Sequence, residues 1–392
     1  MFQYGKNFWI LCYSMFLFMT SFNLIIPELN GFITHLDGEE YKGLIIMLFT
    51  VTAAISRPFS GKLSDTIGRK KVMVIGVLIS ILACALYPFS SLLSIFLCLR
   101  LLHGFCAGFF PTGATALLTD ILPKDHRGKG MGVWGMFISL GIGVGQGTGS
   151  LISDAYGTDN LFFIASMTAL ISGILLYNVK ETLINIESFK LNHLKITIDD
   201  IFEPSVKPAG IVMFLSATCS GIIFVVTPDI SNYLNTGNKG WFFIFYVLTT
   251  IFIRLFFGSL SDKIGRVKTL TIGMFFLCIS MIMLCFSKDI VMYSVSSIVF
   301  GIATGISSPT LFAWTADLSH PERIGIGTGT MFISLELGIM AGAASTLVTF
   351  DNSMKSIGNV FMIGVLFSAT AFFYLIIHNR TNKRKAKLNL PS

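Results

Sequence analysis

The 392 residues are 53% hydrophobic and only 12% charged, with a mean hydropathy of +0.75. A soluble domain carries charge on about a quarter of its residues, so this composition excludes one and marks a polytopic membrane protein. The 28 Lys and Arg exceed the 21 Asp and Glu, for a net charge of +7; their placement along the chain argues for membrane orientation and against a nucleic-acid partner.

Apolar runs of about 20 residues suffice to cross a hydrocarbon core of about 30 Å. In chain order they predict twelve spans, at 8–28, 43–62, 71–89, 91–118, 130–152, 160–178, 207–228, 240–260, 268–287, 289–316, 326–349 and 356–378. The expected fold is therefore an all-α membrane protein of two six-helix bundles, over 1–178 and 207–378. The first run is long, aromatic-rich and without a small-residue cleavage site, so it is expected to stay as a helix and not to leave as a signal peptide. Residues 179–206 break the apolar pattern with Lys180, Glu181, Glu187, Lys190, Lys195, Asp199, Asp200 and Glu203 and read as a cytoplasmic linker, part of it a surface helix along the membrane. Residues 379–392 form a basic tail attracted to anionic lipid headgroups.

Of the 28 Lys and Arg, 21 fall on the side of both termini, four (Lys42, Lys239, Lys288, Lys355) on the other, and three (Arg57, Arg100, Arg254) inside spans. The positive-inside rule then places both termini in the cytoplasm of a multi-pass cell-membrane protein. All seven cysteines lie within spans with no close pair and read as small packing residues.

The chain repeats itself. Gly61-Lys-Leu-Ser-Asp65-Thr-Ile-Gly68-Arg69-Lys-Lys returns 197 positions later as Gly258-Ser-Leu-Ser-Asp262-Lys-Ile-Gly265-Arg266-Val-Lys. Arg57 and Arg254 precede the two copies, and Asp120 and Asp317 follow them at the same offset. Gly61 and Gly68 permit tight backbone geometry. Asp65 is expected where a helix amino terminus favours negative charge, with Arg69 bridging it to Asp120. A solely topological role for these charges is the alternative.

This loop resembles the signature of the major facilitator superfamily, and the resemblance covers the whole chain. It implies two six-helix halves rocking about a midplane site, a monomer by family default, and a charged cluster at each copy that latches the outward-open state. A second resemblance lies in the fifth span: Gly132, Gly141, Gly145 and Gly149 are spaced as in the superfamily's antiporter motif, with Gln146 and Ser150 departing from it. Glycines four apart also let helix backbones meet closely, so packing alone explains them equally well. The alternating glycines 141 to 149 follow no strand, no phosphate-binding loop occurs, and the six histidines are scattered. Nothing here points to an enzyme, a cofactor or a metal.

Charges inside the membrane are costly and so are candidates for function. Arg100-Leu-Leu-His103-Gly104 resembles a family motif with His in place of Gln, and the resemblance implicates the Arg in proton coupling. In the second copy Ser297 and Phe300 stand where Arg100 and His103 do, while Gly301 and Gly305 keep the packing. That asymmetry favours chemistry specific to the first half. His103 can carry a proton or merely pack. Glu336 lies in Met331-Phe-Ile-Ser-Leu-Glu336, which repeats Met136-Phe-Ile-Ser-Leu-Gly141, so an acid replaces a glycine. It can exchange protons or form a structural pair with Arg57. Glu28 and Asp229 follow Pro27 and Pro228 at matching span ends, as proton-entry groups or as a solvated rim.

These readings converge on a proton-coupled antiporter exporting amphipathic or weakly cationic small molecules, bound among helices rich in the chain's 37 Phe and 17 Met. An importer or exporter of one metabolite, such as a sugar or metallophore, is the alternative within transport. A lipid flippase or a flux-free sensor is the alternative outside it.

Overall fold

The computed structural model describes residues 4–122, 127–197, 201–257, 260–320 and 324–388. Gly258 of the second loop copy lies outside the described residues, as do residues 389–392 of the tail. Hydrocarbon offers no water to backbone amides, so each apolar run closes its hydrogen bonds internally as a helix. The helices are α1 (Lys6–His35), α2 (Lys42–Thr66), α3 (Arg69–Leu86), α4 (Leu93–Ile121), α5 (Arg127–Tyr156), α6 (Thr158–Tyr177), α7 (Lys207–Tyr233), α8 (Trp241–Phe257), α9 (Leu260–Ile264), α10 (Arg266–Cys285), α11 (Ile290–Leu318), α12 (Ile324–Thr349) and α13 (Ile357–Leu388). There is no strand among the described residues. Among the described residues, eleven spans are long and apolar enough to cross a bilayer, and α8 is an apolar helix of 17 described residues, ahead of residues 258 and 259.

Packing repeats like the sequence. In the first half α1 packs on α5 and α6, α4 on α2 and α3, and α3 on α6; in the second, α7 packs on α12 and α13, α11 on α8 and α10, and α10 on α13. The halves meet along two seams related by the same exchange, α2 with α12 and α5 with α8. Both termini and the α2–α3 turn lie on one face, here the termini face, and the α1–α2 and α7–α8 loops on the opposite, far face. Exposed residues such as Leu78, Leu82, Ile174 and Phe373 point outward to form the apolar belt a bilayer covers.

The glycines of α5 set how closely it lies on α1. A Cβ at Gly141 would meet the Phe16 carbonyl oxygen at 2.6 Å, one at Gly145 the Asn23 Cβ at 2.7 Å, and one at Gly149 the Leu24 carbonyl oxygen at 2.0 Å. In the second half Gly338 and Gly342 meet the Phe214 and Thr218 carbonyls of α7 in the same way. Backbone cannot swing aside as a side chain can. Gly149→Ala is therefore expected to destabilise the protein by about 1–3 kcal/mol, read as a lower melting temperature after purification. Gly132→Ala, with no atom within 4 Å, is the control that should not lower it.

The linker holds no α-helix among its described residues, so the expected surface helix is absent there. Its backbone groups tie the strap to the bundle. Glu187 N–H donates to the Thr66 carbonyl at 2.9 Å, Lys62 Nζ to the Lys195 carbonyl at 2.5 Å, and Glu203 N–H to Thr330 Oγ1 at 2.9 Å. The strap thus follows the first half to Lys195 and joins the second by Glu203.

Candidate transport site

At the termini face, Arg69 Nε donates to Asp120 Oδ2 at 3.3 Å, while its Nη1 binds the Ser64 carbonyl at 2.7 Å and the Asp65 carboxylate. Arg266 repeats this with Asp317 at 2.9 Å, Ser261 Oγ at 2.6 Å and Asp262 at 2.5 Å. Each cluster stays inside one half, so neither joins the halves in this conformation. Gly68 and Gly265, with φ of +122° and +92°, turn the chain into α3 and α10, a conformation that side chains resist. Two expectations change. Asp65 sits in the last turn of α2, and the acid at the amino terminus of α3 is Glu181 of the linker, whose two carboxylate oxygens accept Arg69 N–H and Lys70 N–H at 3.1 and 2.9 Å. Gly61 has no neighbour within 4 Å of a Cβ and makes no close approach.

Arg100 and His103 are buried within the first half. Arg100 Nε donates to the Ile45 carbonyl at 2.9 Å, Nη1 to Tyr87 Oη at 3.2 Å, and the guanidinium lies 4.8 Å from the centre of the Phe49 ring. His103 Nδ1 lies 3.1 Å from Tyr87 Oη and its Nε2 3.4 Å from Ser80 Oγ, so each ring nitrogen has a hydroxyl within hydrogen-bond reach. The second copy keeps the structural part: Ser297 Oγ donates to the carbonyl of Phe242, the residue 197 positions after Ile45. Absence of an arginine there is thus not absence of the tie.

Between the halves, Arg57 Nη2 and Glu336 Oε1 are 2.9 Å apart across the α2–α12 seam, both side chains under 10% exposed, with the Phe332 ring centre 4.4 Å from the guanidinium. At the α5–α8 seam Arg254 Nη1 reaches Ser139 Oγ and, at 3.3 Å, the Gly135 carbonyl. The glycine contacts above give the register: Gly338 matches Gly141 and Gly342 matches Gly145, both 197 apart, so Glu336 matches Ser139 and not Gly141. The repeated Met-Phe-Ile-Ser-Leu string runs two residues out of spatial register. The acid has replaced a serine that faces the partner half's arginine.

At the far face the rim acids are buried, Glu28 at 4% and Asp229 at 7% exposure, and each is taken by a lysine of the opposite half. Lys239 Nζ lies 2.6 Å from Glu28 Oε2 and Lys42 Nζ 2.9 Å from Asp229 Oδ2. Asn30 of α1 adds bonds to Asp229 Oδ2 at 3.2 Å and to the Val225 carbonyl at 2.7 Å. These are no solvated rim; they fasten the two halves. Nearby, Gln146 Nε2 donates to Asn23 Oδ1 at 2.9 Å, so the residue replacing the motif's proline ties α5 to α1. Its carbonyl leaves room only for a glycine at 240, where a Cβ would come within 1.9 Å.

The family model of the Major Facilitator Superfamily matches residues 11–190 and 209–391. The chain belongs to that superfamily. Multidrug resistance protein 2 of Bacillus subtilis is 29% identical over 364 residues, 88% of each chain. The multi-drug resistance efflux pump PmrA homolog of Lactococcus lactis is 24% identical over 335 residues, 82% of each. Quinolone resistance protein NorA of Staphylococcus aureus is 25% identical over 183 residues, 45% of this chain and 47% of its own. The crystal structure of the human organic anion transporter MFSD10 superposes with a TM-score of 0.72 at 17% identity, over 95% of this chain and all of that one, and so shares the fold.

In this superfamily transporter of small molecules, three ion pairs among the described residues cross between the halves, one at the α2–α12 seam and two at the far face. Lys42, Lys239, Asn30 and Tyr87 were not singled out from sequence. The 197-residue spacing of Lys42 and Lys239 is the one signal that marks them.

Proposed function

We propose that this transporter is a proton-coupled antiporter exporting amphipathic small molecules across the cell membrane, with its termini face in the cytoplasm. The far-face fastening carries the reading. Two lysines related by the repeat each cross to an acid of the other half, while the termini-face ion pairs among the described residues stay within their own halves. That is one end of an alternating-access cycle, closed outside and free to open inside. The cation count, 21 against four, supports the orientation.

Glu336 is the proton carrier in this proposal. Its carboxylate is bound to one guanidinium between moving halves, so parting the seam exchanges an ion pair for a proton. Arg100 acts on the same seam indirectly, since it holds the Ile45 carbonyl of α2, the helix that carries Arg57. The names of the relatives and the α5 glycine spacing support export, and the aromatic surroundings of Arg57, with Phe312 and Phe332 centres 5.4 Å apart, suit amphipathic bodies.

The test is purified protein in liposomes of acid interior containing a pH dye, challenged with cationic dyes, quinolones, sugars and amino acids. Alkalinisation of the lumen on adding an amphipathic compound is the expected result. No response to any compound, from protein shown to be folded, overturns proton antiport.

A further inference from the structure

Arg57 and Arg254 are equivalent under the repeat, and so are the positions they face, Glu336 and Ser139. One seam therefore holds an ion pair and the other a bare cation. Arg254 has no carboxylate partner among the described residues; a hydroxyl and a carbonyl are its acceptors, and its Nε is buried with no partner. An unneutralised guanidinium at membrane depth is costly, and dipoles such as these replace a counter-charge only in part. Arg100 also has no acid partner among the described residues, but it sits inside one half with a carbonyl, a phenol and an aromatic face around it. Arg254 instead stands where the halves meet and is only partly buried, so a ligand group can reach it.

We propose that Arg254 is the anion-binding group of the substrate site, and that the transported amphiphiles include molecules bearing one carboxylate or sulfonate, which occupies at the α5–α8 seam the place Glu336 holds at the α2–α12 seam. This rests on the reading of the chain as an exporter of amphiphiles and names their charge. A guanidinium presents paired donors matched to two anionic oxygens. A substrate that also carries a cation meets no conflict, because Arg57 is already neutralised by Glu336. Loading the anion completes the symmetry of the two seams, and releasing it restores the uncompensated charge.

The test uses two probes with one aromatic body, 1-anilinonaphthalene-8-sulfonate and its uncharged parent N-phenyl-1-naphthylamine. Binding to protein in phosphatidylcholine nanodiscs is read by energy transfer from tryptophan, with empty discs subtracted. Native protein is expected to bind the sulfonate about tenfold tighter than the parent, Arg254→Gln to bind the two within about twofold, and Arg254→Lys to keep most of the preference. Ser139→Glu supplies the missing acid within the protein and should also abolish the preference, which guards against a misfolded Arg254 variant. Equal binding of the two probes by native protein overturns the proposal, as does a preference that survives Arg254→Gln. Loss of the preference when phosphatidylglycerol is added to the discs would assign Arg254 to a lipid headgroup and likewise overturn it. No pH gradient is involved, so the outcome is independent of whether transport is coupled to protons.

Discussion

Glu336→Gln is expected to abolish uphill transport driven by a pH gradient while leaving downhill exchange of substrate intact. Glutamine keeps the size of the side chain and an acceptor for Arg57, now 2.9 Å from the carboxylate, but it cannot take up or release a proton. Removing one partner of a buried ion pair costs about 3–5 kcal/mol when it leaves the other charge bare, so lost stability must be separated from lost coupling. The double variant Arg57→Met/Glu336→Met does this, since replacing both members of such a pair by apolar residues of similar volume is often roughly neutral. A double variant that melts like native protein and exchanges substrate without moving protons supports the carrier role. Full uphill transport by Glu336→Gln would reduce Glu336 to a strut for Arg57.

Lys42→Ala is expected to open the far face. Asp229, 7% exposed, would keep only the Asn30 amide at 3.2 Å in place of an ammonium at 2.9 Å. Leaving a buried carboxylate that short of charge costs about 3–5 kcal/mol, and each 1.4 kcal/mol is a factor of ten in population, so the closed mouth loses its dominance. Ser231, 1% exposed beside Asp229 in α7, reports this as Ser231→Cys: a membrane-impermeant maleimide should label it slowly in otherwise native protein and at least about a hundredfold faster with Lys42→Ala. The swap Lys42→Asp/Asp229→Lys should restore slow labelling. Unchanged labelling with Lys42→Ala would show that the ion pair ornaments a closure made by packing.

Much of the architecture was legible because its causes are local. A run of about 20 apolar residues can satisfy its amides in lipid only as a helix, and the 197-residue repeat carried topology from one half to the other. The Arg69 and Arg266 clusters were legible for the same reason: their acids lie four residues before the arginine or at the end of the second helix on. What sequence did not yield is set by contacts between distant elements. Glu28 and Asp229 looked solvated because the lysines that cover them, 211 and 187 residues away, read as loop cations. The equivalence of Glu336 with Ser139 was hidden by a five-residue identity two positions out of register, which only the glycine contacts on α1 and α7 correct. Tyr87 gave no signal at all, being one aromatic among many until its hydroxyl is seen between Arg100 and His103.

In the proposed cycle the two halves rock between a far-face-closed and a termini-face-closed state. Spin labels at the exposed far-face positions Asp37 and Lys288, and in a second sample at the exposed termini-face positions Asp65 and Lys263, each span the two halves, after replacement of the exposed Cys98. Pulsed electron resonance distances should be measured at pH 8 and pH 5, with and without a transported compound. Rocking produces a second population in which the far-face distance lengthens while the termini-face distance shortens. Distances that change in the same direction, or that stay fixed under every condition in protein competent for transport, would contradict it.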